Sequence, residues 1–370
     1  MKLSSYTQGR NNNFNLIRIV AAYAVLVTHG FALAVGTAGV EPFRDALGMT
    51  MGTIAVDVFF LTSGFLVTAS LLTRKSTIEF IWARVLRIFP ALFVMLLLTV
   101  LGLGAFFTSV AWPTYLSDPQ THRYFLKCLT LIGGVEFRLP GVFESNPYAH
   151  TVNGSLWTMP YELRMYAILA LMWLVLRAVP HARAQLFKIA IVAGTLLAGI
   201  LLAQEHIGAA GEGSKLLRLA FMFFTGASYY ILKERISLST PLFSIALAGL
   251  AASLADEQMF FLVYLATVPY LLFFVAYVPS GFIRGYNRLG DYSYGLYIYA
   301  FPVQQSIAAL LPGISVPSLI AISTLATFAL AVLSWHLLER HALRLKDLHV
   351  EGTRKMLAAL GLTSTSGRTR

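Results

Sequence analysis

The chain has a single cysteine, Cys128, in 370 residues, which excludes an intramolecular disulfide framework and any cysteine-based metal cluster. Charge is also scarce. Asp, Glu, Lys and Arg make up 12% of the residues, where a soluble domain is nearer about 25%. Acids are the scarcer sign, 17 against 28 basic residues, so the formal net charge is +11. Such a balance can indicate nucleic acid. Here the basic residues fall in short clusters between apolar runs, which fits membrane orientation and anionic head groups instead, so no nucleic-acid partner is expected. His122, His150, His206 and His349 lie in loops or tails without metal-ligand spacing, so no metal site is expected. No internal repeat and no long linker sets off a soluble domain.

What the chain has in abundance is apolar sequence: 57% of residues are hydrophobic and the mean hydropathy is +0.69. That surplus is too large for one soluble core and implies an all-α integral membrane protein. At about twenty residues per span, ten spans are expected, near 14–35, 51–73, 85–108, 162–179, 186–203, 216–232, 240–255, 259–278, 292–311 and 317–338. The first run is too long for a typical signal peptide and reads as a retained span. The basic clusters orient the chain. Lys2 and Arg10, then Arg74, Lys75, Arg84 and Arg87, then later pairs such as Arg284 and Arg288, and the C-terminal basic residues through Arg368 and Arg370, fall on one side. Most loop acids, Glu41, Asp118, Glu144 and Glu212 among them, fall on the other. Both termini are therefore expected in the cytoplasm. Residues 1–345 form the transmembrane domain and 346–370 a short basic cytoplasmic tail, frayed from 350 onward. The long outer stretch 109–161 carries enough aromatic and apolar residues to form an ordered cover.

Polar side chains inside such spans are costly and point to function unless a partner explains them. Arg18 and His29 share the first span, eleven residues apart. At about 100° and 1.5 Å per residue they project from nearly one helix face, roughly 16 Å apart along the axis. His29 and Asp57 each lie about six residues from the outer end of consecutive spans, at roughly the same depth. They are expected to pair, either as a general base with its orienting carboxylate or as two misplaced polar groups that neutralise each other. Arg84 and Arg87, three apart in ARVLRIFP, face one side of the third span. With Arg18 they could form a phosphate site, or they could simply follow the positive-inside rule. The run SLWTMPYELRMY sets Glu162 and Arg164 beside Trp157, Tyr161 and Tyr166. It suits a sugar-like acceptor, or an ordinary interfacial aromatic belt with a structural Glu162–Arg164 pair. Glu339, near the end of the last span, is expected to answer a cytoplasmic arginine. Ser63 and Gly64 allow close helix approach, and nothing places a base beside Ser63 to make it a nucleophile.

Six segments, NFNLIRIVAAYAVLVTHG, VDVFFLTSGFL, ARVLRIFP, NGSLWTMPYE, LGDYSYGLYIY and SWHLLER, occur in an order that resembles the acyltransferase-3 family of multi-span membrane O-acyltransferases. The resemblance covers about residues 11–345. It implies ten spans, an acyl-CoA donor, most commonly acetyl-CoA, taken from the cytoplasm, no tightly bound cofactor, and an acceptor hydroxyl often on an extracytoplasmic glycan. The family's arginine and histidine carry over to Arg18 and His29, its paired arginines to Arg84 and Arg87, and its acidic positions to Asp57 and Glu162. Many members have a histidine where this chain has Tyr299-Ala300, and many carry an extra hydrolase-like domain. The bare form resembles bacterial exopolysaccharide and lipid-linked oligosaccharide acetyltransferases of the inner membrane. The resulting expectation is acyl-CoA phosphates on Arg18, Arg84 and Arg87, and a pantetheine arm running towards His29. His29, oriented by Asp57, would serve as base towards a glycan held near Trp157, Tyr161 and Glu162, with a transient acyl-histidine as the alternative chemistry. The rivals are a transporter or flippase of a lipid-linked sugar, and a membrane scaffold or sensor.

Overall fold

The computed structural model describes residues 1–9, 11–74, 76–208 and 214–360. The expected contributions of Arg10, Lys75, Glu212, Arg368 and Arg370 to the charge pattern lie outside the described residues, as does the end of the tail from 361. Among the described residues the fold is all-helical, with two isolated backbone bridges in place of strands.

The principal helices are α1 (Phe14–Val35), α2 (Met51–Thr73), α3 (Thr77–Leu97), α4 (Pro119–Thr130), α5 (Met159–Val175), α6 (Arg183–Gly208), α7 (Lys215–Ile231), α8 (Thr240–Ala252), α9 (Glu257–Tyr277), α10 (Ser293–Leu310), α11 (Val316–Ser334) and α12 (Lys346–Ala359). Local chemistry sets their ends. The Thr50 and Ser76 hydroxyls accept the backbone N–H of Thr53 and Glu79 at the starts of α2 and α3, and Gly36 closes α1 in the left-handed conformation. Among the described residues, seven helical stretches are long and apolar enough to cross a membrane, and Thr240–Ala255 is a shorter apolar helix. The helices α7 and α10 fill two further stretches expected as spans.

The bundle is tightest where α2 crosses α7. A Cβ on Gly64 would run into the Phe223 carbonyl oxygen, and one on Gly226 into that of Leu61. Reciprocal glycines of this kind let two backbones touch where lipid supplies no hydrophobic drive for association. The outer loop is an ordered cover that plugs into α10. Gln305 donates to the carbonyls of Tyr148 (2.8 Å) and Thr151 (2.6 Å), and Asn153 to that of Ile298 (2.9 Å). Buried amides thus satisfy loop carbonyls that water cannot reach.

The tail is a correction. Instead of fraying from 350, Lys346–Ala359 is a helix laid against α3. The Trp82 indole stacks on His349 with ring centres 4.5 Å apart and donates to Thr353 Oγ1 at 2.8 Å. The composition of the tail hid a single aromatic anchor on the helix it docks to.

Candidate active site

At the Arg18 end of α1, charges of both signs converge. Arg18 Nη1 lies 3.3 Å from Asp291 Oδ2, and Arg87 Nη2 reaches the same oxygen at 2.5 Å. Arg87 Nη1 meets Glu339 Oε2 at 3.2 Å, and the Ser334 hydroxyl donates to Glu339 Oε1 at 2.9 Å. Glu339 reaches this position from the widened helical turn Trp335–Glu339 and is 2% exposed, so it does answer an arginine. The rings of Tyr294 and Trp335 lie 5.7 and 5.9 Å from the Arg87 guanidinium. Asp291, in the connection before α10, is half-buried, which disfavours its charge. The Arg18 and Arg87 guanidiniums and hydrogen bonds from Ser293 outweigh that and hold its carboxyl down at about 2. Arg18 and Arg87 therefore do share one corner, but they are not an open fork awaiting phosphates, because Asp291 and Glu339 already occupy them. Arg84 stands differently. Its guanidinium lies 5.9 Å from the Tyr166 ring centre, and its Nε is buried without a hydrogen-bond partner.

His29 lies at the other end of the track. Its ring meets Phe301 edge to face at 5.0 Å, and Nδ1 is buried without a hydrogen-bond partner. The expected pairing with Asp57 does not form. Asp57, 1% exposed, accepts hydrogen bonds from Arg218 Nε at 3.1 Å and Nη2 at 2.5 Å, and from the Tyr264 hydroxyl at 2.9 Å. The reason is register. Gly52 at the start of α2 packs on Thr28, where a Cβ would lie 3.0 Å from the Thr28 methyl. His29 is therefore level with the start of α2, and Asp57 sits about 8 Å further along, at 1.5 Å per residue. Counting from span ends assumed that the two helices end together, but α1 runs on past Thr28 to Val35.

Between the two ends, a cavity of about 40 Å³ is lined by Arg18, Phe59, Thr158, Glu162, Ser293 and Tyr297, with further apolar side chains. The second correction concerns Glu162, which was grouped with an outer aromatic surface. Its carboxylate instead faces inward, accepting hydrogen bonds from Ser63 Oγ at 2.8 Å and from the Tyr166 hydroxyl. Trp157 and Tyr161 pack against each other on the other side of the helix, with ring centres 5.8 Å apart. A helix passing through the bundle divides consecutive residues between two environments, which a linear motif does not reveal. Asp291 was missed although its motif had been singled out. Its signal is an acid on a side where acids are rare. Arg218 and Tyr264 carried no signal beyond their position near span ends.

Chemically, a half-buried imidazole with one unsatisfied nitrogen can accept a proton from a hydroxyl when its other nitrogen carries the ring proton. At the Arg18 end, Arg18 and Arg87 can anchor an anion by exchanging partners with Asp291 or Glu339, whereas Arg84 has an Nε without a partner.

Residues 11–336 match the acyltransferase-3 family model, described as an acyltransferase domain. The chain is 28% identical over 352 residues to an O-acetyl transferase of Shigella phage Sf6, covering 90% of this chain and 96% of that protein. It is 26% identical over 368 residues to nodulation protein 10 of Rhizobium leguminosarum bv. viciae, covering 93% of this chain and 96% of that protein. No solved structure gives a significant match.

Proposed function

The chain belongs to the acyltransferase-3 family and is a multi-pass membrane acyltransferase, and we propose that it moves an acetyl group from cytoplasmic acetyl-CoA to a hydroxyl of a glycan beyond the membrane. In this reading ten spans cross a bacterial inner membrane with both termini in the cytoplasm, no cofactor is tightly bound, and CoA and the acceptor are substrates. The observation that carries it is His29: an imidazole inside a span, with Nδ1 unpaired, eleven residues above Arg18 on one helix face. The similarity to an O-acetyl transferase supports acetyl as the group transferred.

His29 takes the proton from the acceptor hydroxyl as its oxygen attacks the thioester carbonyl. When the tetrahedral intermediate collapses, the C–S bond breaks and the thiolate leaves with the imidazolium proton. Asp57 acts at a distance, clamping α2 to α7 and α9 through Arg218 and Tyr264, so its role is positioning. At the Arg18 end, Arg84 is the first contact for CoA phosphates because its Nε is unpaired. Arg18 and Arg87 join by exchanging carboxylate partners. A cavity of about 40 Å³ holds about one water, so a pantetheine arm passes only when the side chains around Glu162 and Tyr297 separate.

The test is purified protein with radiolabelled acetyl-CoA and a glycan acceptor. Labelled ester formed by the wild type and lost in His29→Ala, with CoA binding retained, supports the reading. Movement of a lipid-linked sugar without ester would instead establish the transporter.

A further inference from the structure

Beyond His29, the cover sets a half-buried aromatic ring over the end of α1. Tyr148 meets Phe301 edge to face with ring centres 6.4 Å apart, and Phe301 meets His29 in the same way at 5.0 Å. Tyr148 also packs against the cluster of Leu33, Phe301 and Leu319. Leu33 lies one helical turn beyond His29 on nearly the same face of α1, about 6 Å along the axis. The three rings therefore form one file that leads from the cover to the imidazole. Gly154, from the same cover, approaches Phe301 so closely that a Cβ would lie 2.5 Å from the ring.

The backbone around Tyr148 is held from two sides. Pro147 brings its carbonyl against the end of α1, where a Cβ on Gly36 would lie 2.8 Å from that oxygen. The Tyr148 carbonyl accepts from Gln305 Nε2 at 2.8 Å. Asn146 donates to the Gln305 backbone carbonyl at 2.9 Å and to its Oε1 at 2.7 Å. The chain is thus fixed on α1 and α10 at once, while the ring stays half-buried and its hydroxyl makes no hydrogen bond among the described residues. A rigid aromatic face with a spare polar tip offers contact area at little entropic cost. It suits a ligand that is apolar on one face and hydroxylated at its edge. A pyranose has that form, with C–H bonds on its face and hydroxyls around its rim.

The aromatic surface that the sequence offered for a sugar lies elsewhere. Glu162 lines the cavity at the Arg18 end, and Tyr161 carries the exposed Arg164, whose guanidinium lies 5.4 Å from its ring centre. We propose that Tyr148 is the platform of the acceptor-sugar subsite. A pyranose of the glycan stacks on its ring and bonds to its hydroxyl, which holds the sugar one helical turn from His29 with a hydroxyl directed towards the imidazole. The fate of that hydroxyl rests on the acyl-transfer reading; the binding of the sugar does not.

The test uses full-length protein in detergent. The probe is a fluorescently labelled oligosaccharide cut from the source cell's own surface polysaccharide and stripped of its esters. Binding is read by anisotropy without acetyl-CoA, and ester formation is read separately with radiolabelled acetyl-CoA. Tyr148→Leu keeps apolar packing on Leu33 and Leu319 but removes the flat ring. It is expected to weaken oligosaccharide binding and raise the acceptor KM by about tenfold, with the acetyl-CoA KM and melting unchanged. Tyr148→Phe keeps the stacking face and is expected to lose affinity only a few-fold. Absence of binding by the wild type, wild-type affinity in Tyr148→Leu, or an equal rise in both KM values overturns the proposal. Binding that depends on Tyr148 without any ester supports the subsite and counts against the acyl-transfer reading. Ester formation with unchanged affinity in Tyr148→Leu counts against the subsite alone.

Discussion

The two ends of the polar track on α1 are built in opposite ways. At one end Arg18, Arg87, Asp291 and Glu339 satisfy each other with three ion pairs; at the other, His29 meets a phenylalanine edge and keeps Nδ1 unpaired. Buried ion pairs specify geometry and are costly to break singly. An imidazole without a partner adds little to stability but is left available for proton transfer. The comparison therefore separates scaffold from chemistry more cleanly than the shared helix face does.

The largest expected effect breaks the His29 end. His29→Ala is expected to lower acetyl transfer by roughly 10²–10⁴-fold, the usual range for a lost general base, with little change in melting temperature because no hydrogen bond is lost. Transfer within a few-fold of wild type would remove His29 from the chemistry. The Arg87 end should respond in reverse. Arg87→Met strands Glu339 without an ion-pair partner, leaves Asp291 to Arg18 alone, and is expected to cost about 3–5 kcal/mol, read as a lower melting temperature in detergent. Unchanged melting would mean that the corner is not a structural joint.

A smaller effect sharpens the comparison by asking which end Asp57 serves. Asp57→Asn weakens a buried charge-assisted contact and is expected to cost about 1–3 kcal/mol and part of the activity. If Asp57 acts only through Arg218, the double variant Asp57→Asn/Arg218→Gln recovers both, because no buried charge is left unpaired. Recovery of melting without recovery of transfer would return Asp57 to His29.

Most of the architecture was legible because apolar runs and basic clusters are one-dimensional signals. Arg18, Arg87 and Glu339 were also legible, because charge inside a span demands a partner. The partners' identities were harder. Asp57 was assigned to His29 by counting residues from span ends, whereas the Thr28–Gly52 packing shifts one helix against the other. Glu162 and Arg164 stand two positions apart in sequence, yet α5 sends one into the cavity wall and the other to the lipid. Register and helix rotation are tertiary quantities, and no local motif carries them.

The smallest expected effect is the pH response of Asp291. Its carboxyl is held down at about 2 in the fold, against about 3.9 for an unperturbed aspartate. A depressed carboxyl contributes stability that is fully present above its unfolded value and is lost as pH falls through the folded one. Wild-type melting should therefore drop between about pH 4 and pH 2 through loss of the Arg18 and Arg87 pairings. Asp291→Asn should start lower at neutral pH and show a shallower fall across that window, since the titrating group is gone. Equal acid slopes in wild type and Asp291→Asn would mean that the paired carboxylate does not hold the Arg18 end together, and would shift that role to Glu339 alone.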